Sequence, residues 1–195
     1  MGRLYSAQPM TPGSLKGQLL LSRLEYVRAE HGPAGVERVL RALPQDERAR
    51  LAGLTRDAWY PFHSLMLLDK AIAAAVGQGD QTFVDLGRAS ARHPTELLGE
   101  HAALVSAHGF LSRMAEEHRR FHTFGRAEYK RLGFRHGQIT FFDYPEIDPV
   151  YCLSGIGYML GAVEQLTGAA ARVEELACQC RHDPACCFDV TWEER

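Results

Sequence analysis

The spacing of apolar residues changes once along the chain, near residue 122, and that change limits the possible folds more than any other feature. Before it, apolar residues recur with the helical period. Leu15, Leu19, Leu20, Leu24 and Val27 form one stripe after Ser14, which can cap a helix, and the stripe ends at His31-Gly32-Pro33. Val36, Val39, Leu40 and Leu43 make a shorter helix that Pro44 stops, Gln45 to Leu54 read as a brief turn or helix, and Trp59-Tyr60-Pro61-Phe62 as a rigid aromatic connector. His63 to Val76 predicts a well-buried helix closed by Gly77-Gln78-Gly79-Asp80. Phe83 to Arg92 continues as a helix that stops before Pro94, and Thr95 caps a long, uneven helical region running to Phe121.

Beyond residue 122, aromatic and β-branched residues dominate. Ala127–Leu132 and Gln138–Tyr144 flank Phe134-Arg135-His136-Gly137 as a hairpin, and Pro149 opens a helix rich in small residues. Ala170–Cys178 and Cys187–Trp192 are two further short strands joined by the polar Arg181-His182-Asp183-Pro184 turn. The expectation is one α+β domain over residues 1–195, an N-terminal helical bundle followed by a small antiparallel sheet. The helical part covers about 13–122 and the sheet part about 123–193, in the order strand-strand-helix-strand-strand.

A formal charge of −2 gives no electrostatic reason to expect nucleic acid or an acidic membrane as the main partner. No apolar run is long enough to span a bilayer, and the start has no apolar secretory core, so the expected location is the cytoplasm. All five cysteines (Cys152, Cys178, Cys180, Cys186 and Cys187) fall within the last 44 residues. An odd count without a signal peptide argues against a disulfide framework and for a metal or redox site. Thiolates with a nearby carboxylate suit zinc, and a zinc clamp would fix the register of a marginal terminal hairpin. Bridging the neighbours Cys186 and Cys187 would close a strained ring, which leaves a redox disulfide as a minor reading. Thiols simply buried in the core are the other alternative.

The run Glu175-x-x-Cys178-x7-Cys186-x-Phe188-x-Val190, preceded by Cys152, resembles the zinc pattern of 4-vinyl reductase domains in aromatic-sensing transcription regulators. Those domains belong to a superfamily that also contains haem-nitric-oxide-binding domains and transport-complex subunits. The chain also resembles a stand-alone myxobacterial family of similar length, through Gly17 and Leu24-Glu25-Tyr26-Val27. The resemblance implies a structural zinc held by Cys152, Glu175, Cys178 and Cys186, with Cys180 as the substitute for Glu175. In an ideal strand Glu175 and Cys178 face opposite ways, so a bulge or turn has to intervene if both bind one ion. It also implies a small apolar pocket between helices and sheet, for which Trp59, Phe62, Phe110, Phe121, Phe141 and Tyr158 are the candidate lining, and a homodimer formed through the N-terminal helices.

No nucleophile elbow, phosphate loop or His-Glu-x-x-His run is present, so catalysis is not expected. His93, His101 and His108 lie where a proximal haem ligand could sit, but the Tyr-x-Ser-x-Arg run that holds haem propionates is missing. Glu116-Glu117-His118-Arg119-Arg120 reads as a solvated helix face. The expected function is that of a small-molecule-binding or sensory domain with a structural zinc, binding a small apolar or aromatic ligand and signalling through dimerisation or a protein partner. One alternative is a ligand-free scaffold whose Leu15, Leu19 and Tyr26 face a partner; the minor one is a haem-based gas sensor.

Overall fold

The structure is a computed structural model that describes residues 13–77, 79–91 and 106–193. Among these residues the elements run β1 (Ser14–Lys16), α1 (Gly17–Ala42), α2 (Gln45–Ala52), β2 (Trp59–Pro61), α3 (Phe62–Val76), α4 (Asp80–Ser90), α5 (Ala107–Glu116) and α6 (His118–Phe121). They continue with β3 (Arg126–Gly133), β4 (His136–Phe142), α7 (Pro149–Thr167), β5 (Ala171–Ala177) and β6 (Ala185–Trp192). The α+β class is as read from the sequence, with helices first and an antiparallel sheet after them. The part of the expected long helix over residues 95–105 lies outside the described residues.

The sheet has strand order β3-β4-β6-β5 with antiparallel neighbours, so α7 connects β4 to the edge strand β5. Asp148 caps α7 through the Val150 N–H at 3.1 Å, and Pro149 sits at the first helical position, where its missing N–H costs nothing. Helix α7 packs tightly on α4 because the contact points are glycines. A Cβ at Gly157 would fall 1.9 Å from the Val84 carbonyl oxygen, and one at Gly87 would fall 2.0 Å from that of Ser154.

Two expectations shift. Ser14 starts a strand rather than a helix, and the Trp59–Pro61 connector is its partner, with Leu15 opposite Tyr60. Leu15 is fully buried there, and a bridge to His122 ties this strand to the end of α6. The helices expected on either side of His31-Gly32-Pro33 run on as α1 across a kink at Gly32, whose φ of 66° only glycine adopts readily.

Two apolar clusters carry the packing. Leu20, Val27, Leu65, Leu68, Ile72 and Leu86 join α1, α3 and α4, while Phe110, Ile139, Met159, Val163, Phe188 and Val190 join α5 and α7 to the sheet. Each such side chain contributes about 1.5–3 kcal/mol on burial. Between them lies a buried polar seam, where the Arg23 Nε donates to Asp69 Oδ1 at 3.2 Å and the other guanidinium nitrogens donate to Ser90 and Ser154.

Candidate functional site

A cavity of about 190 Å³ opens where the two clusters meet. Helix α1 supplies Leu19, Ser22 and Arg23, the α5–α6 region Met114, His118, Phe121 and His122, the sheet Phe141 and Phe188, and α7 Tyr151, Cys152 and Tyr158. Tyr144 and Ile147, in the loop before α7, complete one wall. Its surface is mostly apolar and aromatic, with a few polar groups converging, as in small-molecule sites.

The first polar group is a pair of histidines. The rings of His118 and His122 stack with centroids 4.4 Å apart and planes 11° from parallel, which their i,i+4 spacing on one helical turn allows. His118 Nε2 lies 2.7 Å from the Tyr144 hydroxyl, and His122 Nε2 lies 3.1 Å from the Tyr151 hydroxyl. His122 Nδ1 lies 3.2 Å from the His118 carbonyl oxygen, while His118 Nδ1 is buried without a partner. Burial and the neighbouring Arg119 charge pull His118 down to about 4, and burial together with His118 pulls His122 down to about 3. Both rings are therefore neutral at neutral pH. Burial pushes Tyr151 up to about 12 and raises Tyr144 well above its ordinary value. The stretch read as a solvated helix face thus holds a side chain that is 4% exposed, because α6 turns His118 inward while Arg119 and Arg120 stay outside.

The second polar group is a cluster of thiols. Cys152 Sγ lies 3.6 Å from Cys178 Sγ and 3.8 Å from Cys186 Sγ, and the last two are 3.9 Å apart. Cys180 Sγ comes within 4.8 Å of the Cys152 and Cys178 sulfurs. These separations are well beyond a disulfide bond of about 2.05 Å. After β5 the chain enters a tight turn in which Asp183 Oδ2 accepts from the Cys178 N–H at 2.8 Å, and the Gln179 N–H points to Cys186 Sγ at 3.3 Å. The hydrogen bonds that Cys152 and Gln179 direct at Cys186 pull its thiol down to about 7 despite burial, and the same sharing pushes Cys152 up.

The residues singled out in the sequence are distributed as follows. Cys152, Cys178 and Cys186 meet, and Cys152 and Cys186 also form part of the cavity wall. The register of β5 shifts between Glu175 and Ala177, which is the irregularity the ligand spacing required. Glu175, however, accepts from Arg181 at 2.6 Å through Oε2, and its Oε1 is buried without a partner. Cys187 lies on the opposite face of β6, with the Thr140 hydroxyl 3.5 Å from its sulfur, so the adjacent pair is divided between two faces. Phe121, Phe141 and Tyr158 line the cavity. Phe110 packs behind it on Tyr158 at 5.8 Å, and Phe62 packs behind it on Tyr151 at 4.9 Å. Trp59 is 44% exposed and stacks under the Lys16 ammonium at 4.2 Å. Arg23, His118, His122, Tyr144 and Tyr151 were missed, since nothing in an i,i+4 histidine pair next to arginines signals burial. His93 and His101 lie outside the described residues, and His108 is bonded to the Tyr129 hydroxyl and the Phe134 carbonyl.

Together these parts define an α+β domain whose helices and antiparallel sheet close over one small aromatic cavity with a thiol cluster in its wall. No protein family model matches the chain, and no curated protein matches its sequence. Solved structures do match. The chain is similar to the unliganded Fe(II) H-NOX protein from K. algicida, with a TM-score of 0.69 at 12% identity over 93% of this chain and 98% of that one. It is similar to the S. oneidensis H-NOX protein in the Fe(II)NO state, with a TM-score of 0.69 at 13% identity over 92% of this chain and 100% of that one. An oxygen-binding H-NOX domain related to soluble guanylate cyclases gives 0.66 at 13% identity over 92% of this chain and 96% of that one. At this identity the likeness is one of fold, and the likeness to 4-vinyl reductase domains is not among what these structures show. No described helix is long and apolar enough to cross a membrane.

Proposed function

We propose that this chain is a sensory domain that encloses a small, mostly apolar molecule between its helical half and its sheet. The observation that carries this reading is the 190 Å³ cavity, whose wall is built from both halves. A cavity of about 150 Å³ is large enough to bind benzene, so this one suits a single or fused small ring. Leu15 is buried and Leu19 lines the cavity, so the apolar surface required by the scaffold alternative is turned inward at these two residues. The test is thermal shift and native mass spectrometry with benzene and indene as probes. A raised melting temperature and a one-to-one adduct are expected, and no binding of either probe would overturn the reading.

The thiol cluster belongs to the same proposal as a structural zinc site. The sulfur separations of 3.6–3.9 Å are close to the edge of a zinc–thiolate tetrahedron, about 3.8 Å for Zn–S bonds of about 2.3 Å. Cys152, Cys178 and Cys186 would hold the ion, and Cys180 is favoured as the fourth ligand because Glu175 is engaged by Arg181. Zinc there would supply cross-linking of α7 to the terminal hairpin, with four protein ligands leaving no open position. The finer likeness to 4-vinyl reductase domains rests on this site. Elemental analysis reading one zinc per chain supports it, and metal-free folded protein overturns it. Output through homodimerisation or a protein partner completes the proposal, and light scattering with and without probe tests the dimer.

The shared fold favours a second reading, a haem-based gas sensor. The cavity of about 190 Å³ is small for a haem macrocycle, while His93 and His101, the sequence candidates for its axial ligand, lie outside the described residues. A Soret band in protein expressed with ample haem would establish the second reading in place of the first.

A further inference from the structure

The net charge of −2 averages over an uneven distribution. From Tyr129 to Phe142, across the β3–β4 hairpin, the chain carries Lys130, Arg131 and Arg135 and no Asp or Glu. Within that basic stretch, Phe134 is the most exposed large apolar side chain among the described residues, at 77%, and Leu132 is 41% exposed. A single exposed apolar residue needs no explanation, but this pair stands among cations on a turn that is fixed in place. His108 Nε2 donates to the Phe134 carbonyl at 2.8 Å, and the Trp192 N–H donates to the Arg135 carbonyl at 3.2 Å, with the His108 and Trp192 rings 4.7 Å apart. Both turn carbonyls are thus tied to the domain while the Phe134 ring stays in water. The register shifts between Arg131 and Gly133, which takes Leu132 out of the pairing. Lys130 and Arg131 are exposed, and neither forms an ion pair among the described residues; Arg131 Nε donates to the Gly133 carbonyl at 3.2 Å. The acids of the sheet are committed elsewhere: Glu128 to Arg126, Glu174 to Arg172, Glu175 to Arg181 and Asp189 to His136. Glu193, just after β6, offsets part of the charge at this end.

We infer that the β3–β4 turn docks this chain on an anionic phospholipid surface, with Phe134 as the inserting side chain and Lys130 and Arg131 as headgroup contacts. The charge is complementary to lipid phosphates and carboxylates, and a phenyl ring on a fixed turn can enter the boundary between headgroups and acyl chains while the cations stay at headgroup level. A protein partner fits less well, because a stable interface takes about 800 Å² per side around several buried anchors, and the exposed apolar part of this turn is two side chains. Two or three cations and one ring give weak, reversible and salt-sensitive binding rather than an anchor. The inference is independent of what the cavity holds.

The test is co-sedimentation of the whole chain with vesicles of phosphatidylcholine alone and of phosphatidylcholine with phosphatidylserine. Partition is expected to be about tenfold or more stronger into the anionic vesicles at about 0.1 M salt, and the difference is expected to shrink as salt is added. Lys130→Gln combined with Arg131→Gln is expected to lower the anionic partition about tenfold, and Phe134→Ala about fivefold. These side chains are exposed, so the variants keep the fold, which circular dichroism checks. Phe134→Trp supplies a second readout: its added emission is expected to be quenched by lipids brominated on the acyl chain. Equal partition into neutral and anionic vesicles overturns the inference. So does anionic binding that Phe134→Ala leaves unchanged, which is adsorption by charge alone. Tighter binding to a polyglutamate peptide than to the anionic vesicles assigns the turn to an acidic protein partner and overturns it as well.

Discussion

Two polar groups meet the cavity, and they are completed in opposite ways. Where the histidines meet the tyrosines, every ring nitrogen but one faces a hydroxyl or a carbonyl oxygen, so only His118 Nδ1 is left without a partner. In the thiol cluster, like groups face one another at 3.6–3.9 Å with no covalent bond between them. Imidazoles, hydroxyls and carbonyl oxygens complete one another, whereas thiols make only weak S–H···S contacts among themselves and suit the soft metal ion proposed above. The sharpest way to break this comparison is to attack the thiols. Cys178→Ala or Cys186→Ala is expected to lose one equivalent of zinc and several kcal/mol of stability, and a strong chelator is expected to do the same to the unaltered chain. Cys187→Ala, on the far face of β6, is expected to retain both metal and stability. Elemental analysis and urea unfolding read both quantities, and equal losses in all three variants would show that the ligand set is wrong.

The buried Arg23–Asp69 pair stands between the two cases, since it is closed by charge yet leaves Asp69 Oδ2 without a partner. Burial outweighs the arginine and raises the Asp69 carboxyl above its ordinary range. Replacing one partner alone, as in Arg23→Met, strands a buried charge and is expected to cost about 3–5 kcal/mol by denaturant unfolding. Replacing Asp69 by Leu in the same chain is expected to recover part of that loss.

Acid provides a milder test aimed at the histidine chain. His118 and His122 are lowered from 6.5 to about 4 and about 3, so between those values and pH 6.5 the unfolded chain binds more protons than the folded one. Stability is therefore full above pH 6.5 and falls as the pH drops below it, by about 2 kcal/mol per histidine at pH 5. Asp69 acts in the opposite sense, because its raised carboxyl takes up a proton in the folded chain first. Urea titrations at pH 7 and pH 5 measure the net slope, and His122→Phe is expected to flatten it. An unchanged slope in that variant would place the acid sensitivity elsewhere.

The difference between the two groups also explains what could be read from the sequence. Cysteine is rare, and the resemblance of its pattern to a zinc-binding one singled out Cys152, Cys178 and Cys186 before any coordinates. The α+β order was legible too, because it follows from the change in apolar period. Arg23, His118 and His122 gave no such signal: each is a polar residue on a helix, and its burial is decided by what packs over it from far along the chain. His118 is covered by Tyr144 and Phe141, and Arg23 is held by Asp69, Ser90 and Ser154. Local patterning also missed β1 and β2, whose three-residue lengths hold only because they pair with each other.

The smallest effect falls on the residue where pattern and structure divide most finely. Resemblance assigns Glu175 to the metal, while the structure gives one of its oxygens to Arg181 and puts the Cys180 sulfur within 4.8 Å of Cys152 and Cys178. Arg181 is open to solvent on its side of the pair while Glu175 is mostly covered, and solvent screening keeps the contribution of the contact small. If Cys180 completes the thiolate set, Glu175→Gln is expected to keep one zinc with little loss of stability, whereas Cys180→Ser is expected to weaken zinc retention against a chelator. Substituting cobalt for zinc gives an independent reading, since the visible spectrum of a tetrahedral cobalt–thiolate site follows the number of sulfur ligands. An intact four-sulfur spectrum in Glu175→Gln and a changed one in Cys180→Ser assign the fourth position to Cys180. The reverse pattern returns that position to Glu175, and would mean that the Arg181 contact is exchanged for the metal when the ion binds.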